Sequence, residues 1–156
     1  MKAKLFGITT NKMKKALEII AEVLLWVWQA PQNIVGLVFG AFIKDQHEVH
    51  TSSRGTMAVF VPDNIRVVRS NYMQGGISLG MYVYIRTSSV ENIRHELGHC
   101  VQSIILGPFY LIVVGLASLA HAIWWTPEKG KYEDFFTERW AERLGERFVT
   151  YHVNIK

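Results

Sequence analysis

The stretch Ile93-Arg94-His95-Glu96-Leu97-Gly98-His99-Cys100-Val101-Gln102, "IRHELGHCVQ", sets two imidazoles four residues apart with a carboxylate between them. On a helix, residues four apart lie one above the other, so His95 and His99 share a face. Two imidazoles so placed can bind one Zn²⁺ at about 2.0–2.1 Å each. Glu96, one residue on from His95, misses the metal but comes close enough to hold a water bound to it. Zinc lowers the pKa of such a water to about 7, and a neighbouring carboxylate can then take its proton. The pattern HExxH is therefore the mark of a hydrolytic metal site. Gly98 is expected to leave space beside the metal. Cys100 turns away from His99 and reads as a small buried residue.

An open catalytic zinc needs a third protein ligand. His47 and His50 sit in a probable strand with their rings on opposite faces. His121 lies in an apolar segment and His152 near the end of the chain. None has the right context. The stretch "FFTERWAERLGE", residues 135–146, offers Glu138 and Glu142 one turn apart, with the small Ala141 between them to permit close helix approach. Glu138 would face the metal, and Glu142 would accept a hydrogen bond from the far nitrogen of a ligating histidine. Arg139, Arg143 and Arg147 fit equally well with a solvated helix laced by i,i+4 pairs.

The two motifs together, His95-Glu96-Leu97-Gly98-His99 and then Glu138-Arg139-Trp140-Ala141-Glu142, resemble the gluzincin metallopeptidases, whose pattern is HExxH followed by ExxA[D/E]. The order of elements is similar to that of minimal one-domain gluzincins, and the apolar segment between the motifs to that of membrane-embedded relatives of the CAAX prenyl protease type. The resemblance covers roughly residues 75–145 and is specific at the two motifs. It implies a zincin-like α+β fold, one Zn²⁺, the ligands His95, His99 and Glu138, and Glu96 as general base. Glu142 stands where those families usually carry Asp. In zincin-type peptidases the strand before the active-site helix commonly forms a sheet edge on which an extended substrate pairs. The stretch "GISLGMYVYIR" occupies that place. For the donor that stabilises the oxyanion, Tyr132 comes first and His121 second.

Around these motifs the chain reads as a single domain over residues 1–156. Residues 12–29 are helical, with Lys15, Glu18, Glu22 and Gln29 forming a narrow polar stripe on an apolar cylinder. Pro31 breaks this helix, and a second apolar helix follows to Ile43, completing a hairpin over residues 12–43. From residue 44 to 86 the period falls to two. "HEVHTSSR", "TMAVFVP", "IRVVRSNYM" and "GISLGMYVYIR" read as three or four short strands, the last with Ile77, Leu79, Met81, Val83 and Ile85 on one face. Residues 88–149 carry the two motif helices: Ser88 or Ser89 caps the first, Gly107-Pro108 bends or ends it, residues 126–130 form a loop, and a helix from Tyr132 to Val149 closes the chain.

Hydrophobic residues make up 49% of the 156 and charged ones only 19%, against about 25% in soluble domains. The mean hydropathy is +0.12. Between Cys100 and Pro127 there is no charged residue, and Trp124-Trp125 at the end of that run suits an interface belt. The net charge of +4 is concentrated in Lys2, Lys4, Lys12, Lys14 and Lys15, ahead of an apolar run. That placement suits a membrane surface rather than nucleic acid, which would want basic residues interleaved with aromatics. Glu18 and Glu22 make the start a poor secretory signal. A single cysteine excludes an internal disulfide and fits a reducing compartment. The expectation is a membrane-associated zinc peptidase facing the cytoplasm and acting on peptide or protein, with a soluble cytoplasmic protein as the alternative location. The alternative function is a non-catalytic, zinc-stabilised binding or structural protein. Substrate identity and oligomeric state stay open.

Overall fold

The computed structural model describes residues 2–49, 51–55, 65–126 and 131–153. The expected strand "TMAVFVP" and most of the expected 126–130 loop lie outside the described residues, as does His50. The fold is α+β and mostly helical. Among the described residues there are five α-helices, a four-stranded mixed sheet and a two-stranded sheet.

Helix α1 (Lys2–Trp28) starts ten residues before the expected position, and α2 (Ala30–Phe42) follows after one residue, with Pro31 in its first turn. A proline lacks the donor that a helix start leaves unpaired in any case, so it can open α2 while ending α1. The two helices meet at 84°.

The four-stranded sheet runs in the order β1 (His47–Val49), β3 (Arg66–Arg69), β5 (Tyr82–Ile85), β4 (Gly76–Leu79). β3 and β5 are parallel, and the other pairs are antiparallel. The stretch expected as one long strand is therefore two. Gly80 at φ +67° opens a two-residue turn in which Leu79 pairs with Tyr82. Glycine at the first central position of such a turn matches the twist of a hairpin. The turn breaks the alternation, so Val83 and Ile85 share a face with Ser78, and Ile77 and Leu79 share the other with Tyr82 and Tyr84. A second sheet, unforeseen, pairs β2 (Thr51–Gly55) with β6 (Val149–Val153), and β6 contains His152.

The two faces of the larger sheet are covered differently. On one, Val67, Val83 and Ile85 pack with Ile93, Leu97 and Val101 of α3 (Val90–Leu106) to form the main core. On the other lies α2, where the Tyr84 hydroxyl donates to the Gly36 carbonyl (2.9 Å) and Asn33 Oδ1 accepts from the backbone N–H of Met81 (2.8 Å).

Ser89 caps α3, its hydroxyl accepting from the Asn92 N–H (3.2 Å). Gly107, at φ +53°, ends the helix and returns its N–H to the Ser103 carbonyl. The apolar segment that follows is not one helix. It runs through a 3₁₀ turn (Gly107–Phe109), a π-helical turn (Leu111–Gly115) and α4 (Leu116–Trp124), bent 117° from α3. A second 3₁₀ turn, Tyr132–Asp134, precedes α5 (Phe136–Phe148), so the closing helix begins four residues later than expected and leaves Tyr132 outside it.

Candidate metal centre

Helices α3 and α5 run antiparallel, matching Arg94 with Gly145, Gly98 with Ala141 and Gln102 with Thr137. The contact is backbone to backbone. A methyl group at position 98 would overlap the Ala141 carbonyl, so Gly98 makes room for α5 rather than for a metal. Ala141 is fully buried. This close approach carries Glu138 between the two imidazoles.

Glu138 Oε2 lies 3.2 Å from His95 Nε2 and 3.3 Å from His99 Nε2. All three ligand atoms fall within 4.8 Å of one another, and this is the one such group among the described residues. A tetrahedral ion with bonds of about 2.0–2.1 Å has edges of about 3.3–3.4 Å, close to the two distances from Glu138 to the imidazoles.

Each remaining atom of the three ligands has a partner. Glu142 Oε2 lies 3.1 Å from His95 Nδ1, and the other oxygen of Glu142 accepts from Arg94 (3.1 Å). Gln102 Oε1 lies 2.8 Å from His99 Nδ1, and the Gln102 amide donates to the Thr137 carbonyl (2.8 Å). An acceptor at each Nδ1 favours a proton there, so that Nε2 is the nitrogen each ring would offer to a metal. Glu138 Oε1 accepts from Ser118 (3.0 Å) and Thr137 (3.2 Å).

The electrostatics express one cluster. Burial works against the His95 imidazolium, but the carboxylates of Glu138, Glu96 and Glu142 outweigh it and raise the pKa to about 9. Burial also opposes the Glu138 carboxylate, yet His95, His99 and Ser118 hold its pKa well below the usual range. A divalent ion bound there would take the place of a proton on His95 Nε2.

Glu96 reaches towards β4. It is 4% exposed, and its Oε2 accepts from the Ser78 hydroxyl (2.7 Å). A side chain at Gly76 would collide with the carboxyl group. Burial raises the pKa of Glu96, with His99, Ser78 and His95 pulling the other way. A raised carboxyl holds a proton more readily than a free one, which is the direction that favours a group asked to accept a proton from water.

Tyr132 and His121, the two oxyanion candidates, sit together. Their rings are 4.8 Å apart, His121 stacks on Phe135 at 4.1 Å, and His121 Nε2 lies 3.3 Å from the Tyr132 carbonyl. His121 is thus packed as part of the wall. The Tyr132 phenol has its pKa raised by burial and by the charges of Glu138 and Glu96, so its hydroxyl lies within their field.

Four supporting residues come to light only in the structure. Ser78, Ser118 and Thr137 are ordinary small polar residues until the fold aims them. Gln102 was the legible one, since it lies three residues beyond His99 on the same helix face. Tyr110 is a fifth, with its buried hydroxyl donating to the Ser78 carbonyl (2.9 Å). Comparison with protein-family models, curated proteins and solved structures returned no significant match for this chain.

Proposed function

We infer that the protein is a zinc-dependent peptidase. The single observation that supports this most is the Glu138 carboxylate oxygen standing 3.2 and 3.3 Å from the Nε2 atoms of His95 and His99, each ring held by an acceptor at its other nitrogen. His95, His99 and Glu138 would hold the ion. Two nitrogens and one carboxylate oxygen, with a coordination position left for solvent, are the donor set of a catalytic rather than a structural zinc site. Zinc bound there supplies a Lewis acid for a scissile carbonyl and makes a water acidic enough to attack at neutral pH.

The chain's own residues do the rest. Glu96, fixed by Ser78, takes the proton from the attacking water and passes it to the leaving amine. Glu142 and Gln102 keep the two rings in register. Tyr132 is the donor towards the developing oxyanion.

The substrate is an extended peptide laid along β4, the edge strand beside Glu96. The strand directly before α3 is β5, an interior strand, so the edge belongs to its hairpin partner. Arg86 donates to the Gly75 carbonyl and Leu79 pairs with Tyr82, so the backbone groups of Gly76 and Ser78 face outward. Tyr110 occupies the outward carbonyl of Ser78. A bound peptide would therefore pair along the open side of Gly76, next to the general base.

The non-catalytic alternative would keep the ion without this chemistry. The Glu96→Gln variant separates the two. We expect it to retain one zinc per chain while its hydrolysis of an unfolded protein substrate falls by about 10²–10⁴. An undiminished rate would end the peptidase reading.

A further inference from the structure

The helices outside the metal centre have their polarity turned inside out. Gln29, Gln32, Asn33 and Ser103 are at most 1% exposed. The Ser103 hydroxyl donates to Gln29 Oε1 (2.6 Å) and accepts from the Gln32 amide (2.9 Å), which also donates to the Gly107 carbonyl (2.9 Å). Around this polar clasp the apolar side chains face outward. Leu24 is 64% exposed, Val38 55%, Phe42 81% and Ile123 65%. Buried amides and hydroxyls bonding across helices whose outer surfaces are aliphatic are the arrangement of helices packed in lipid.

Further features point to the same solvent. From Lys12 to Ile20 every residue of α1 is exposed, so this end of the helix protrudes from the rest of the chain. Leu17, Ile20, Leu24 and Val27 form one side, and Lys15, Glu18 and Glu22 another, the division of a helix lying in a membrane interface. Lys12, Lys14 and Lys15 supply cations on this exposed stretch, which complements anionic headgroups. No single described helix is long and apolar enough to cross a bilayer. Both apolar pairs are sharply bent, and their corners meet, with the Trp28 ring packed on Gly107 and its Nε1 donating to the Ile104 carbonyl (2.9 Å). A spanning α1 would carry Glu18 and Glu22 into hydrocarbon. One lying flat keeps them in water.

We propose that the protein is monotopic: the shared corner of the α1–α2 and α3–α4 bends is seated in one leaflet of an anionic bilayer, with α1 in the interface. Ser103 of the clasp lies one turn beyond His99, about 6 Å along α3. On the peptidase reading, the substrate is a protein segment presented at the bilayer surface.

Flotation of the full chain with vesicles tests the seat without reference to catalysis or zinc, so it fails or succeeds separately from the peptidase reading. Wild-type protein, freed of detergent, is expected to float with phosphatidylcholine–phosphatidylglycerol vesicles. Binding is expected to weaken about fivefold for each of Lys12, Lys14 and Lys15 changed to Gln. The double variant Leu24→Glu, Val38→Glu should lose at least about tenfold. Both sites are exposed, so an unchanged circular dichroism spectrum shows that the fold is kept. Lipids brominated near the headgroup should quench tryptophan fluorescence more than lipids brominated at the chain ends. Stronger quenching by the deep bromines would overturn the one-leaflet placement. Wild-type protein that stays below the vesicles would overturn the seat, and a detergent-free dimer under those conditions would assign the apolar faces to a second copy.

Discussion

Two halves of this molecule bury polar side chains for opposite reasons. In the α3–α5 half, Glu138 is buried between two imidazoles, Gln102 bonds the outer nitrogen of His99, and the buried Glu96 is held by Ser78. In the α1–α2 half, Gln29, Gln32 and Ser103 bond to one another across helices whose outer faces are aliphatic. The first arrangement holds ionisable groups, and the second holds only neutral ones. A charge is worth burying where an ion or a reaction will use it, whereas neutral amides tie helices together at lower cost. The comparison separates a site from a seat.

The largest expected effect would break the first half alone. Glu138→Ala should abolish zinc binding, a greater loss than the 10–100-fold expected from removing an outer partner. Metal analysis of the purified variant checks it, and a full complement of zinc would remove Glu138 from the site. Flotation should be unaffected.

Gly98→Ala comes next. The added methyl must push α5 away from α3, and overpacking of this kind costs about 1–3 kcal/mol. Thermal unfolding should report that loss, with zinc affinity falling alongside because Glu138 moves with α5.

Gln102→Leu and Glu142→Gln sharpen the assignment of the rings. Each should weaken zinc binding by about 10–100-fold without removing it, read by competition with a chelator.

The pH dependence of the metal-free protein follows from the same cluster. The folded pKa of His95 is raised from 6.5 to about 9, so its contribution is complete below 6.5 and is lost as pH rises towards 9. Glu96, raised from 4.5, also costs stability on the alkaline side. Glu138 is lowered from 4.5, so its contribution is present above that value and is lost on acidification. Urea midpoints of the stripped protein should fall between about pH 6.5 and 9. With zinc bound they should not, because the ion requires neutral imidazoles.

The smallest effect belongs to the clasp. Ser103→Ala leaves Gln29 Oε1 short of a donor, which costs about 1–3 kcal/mol in a water-facing protein but averages about 0.6 between helices in lipid. Unfolding measured in vesicles and in detergent-free buffer distinguishes the two values.

Much of this was visible in the chain itself. The capped helix carrying His95 and His99, the proline-broken apolar pair and the charge-poor segment all follow from spacing and composition, which act locally. The single strand expected over residues 76–86 is two, because Gly80 fits an alternating run as well as it fits a hairpin turn, and only the pairing of Leu79 with Tyr82 decides for the turn. The start of α5 was misplaced because the acidic residues Glu133 and Asp134 suit a first helical turn as well as the 3₁₀ turn they occupy.

By itself the sequence determined the chemistry on offer: two imidazoles on one helix face, two carboxylates a turn apart on another, and more apolar surface than so short a chain can hide. Helical periodicity and side-chain type decide those things within a few residues. Only the tertiary structure decided that the second helix approaches the first closely enough, over Gly98, for Glu138 to stand between the rings, that Gln102 and Glu142 hold them, and that Gln29, Gln32 and Ser103 face inward. Apart from the bond between Gln102 and His99, three residues apart, these contacts join residues some forty to seventy positions apart, and no local preference encodes a distance of that kind.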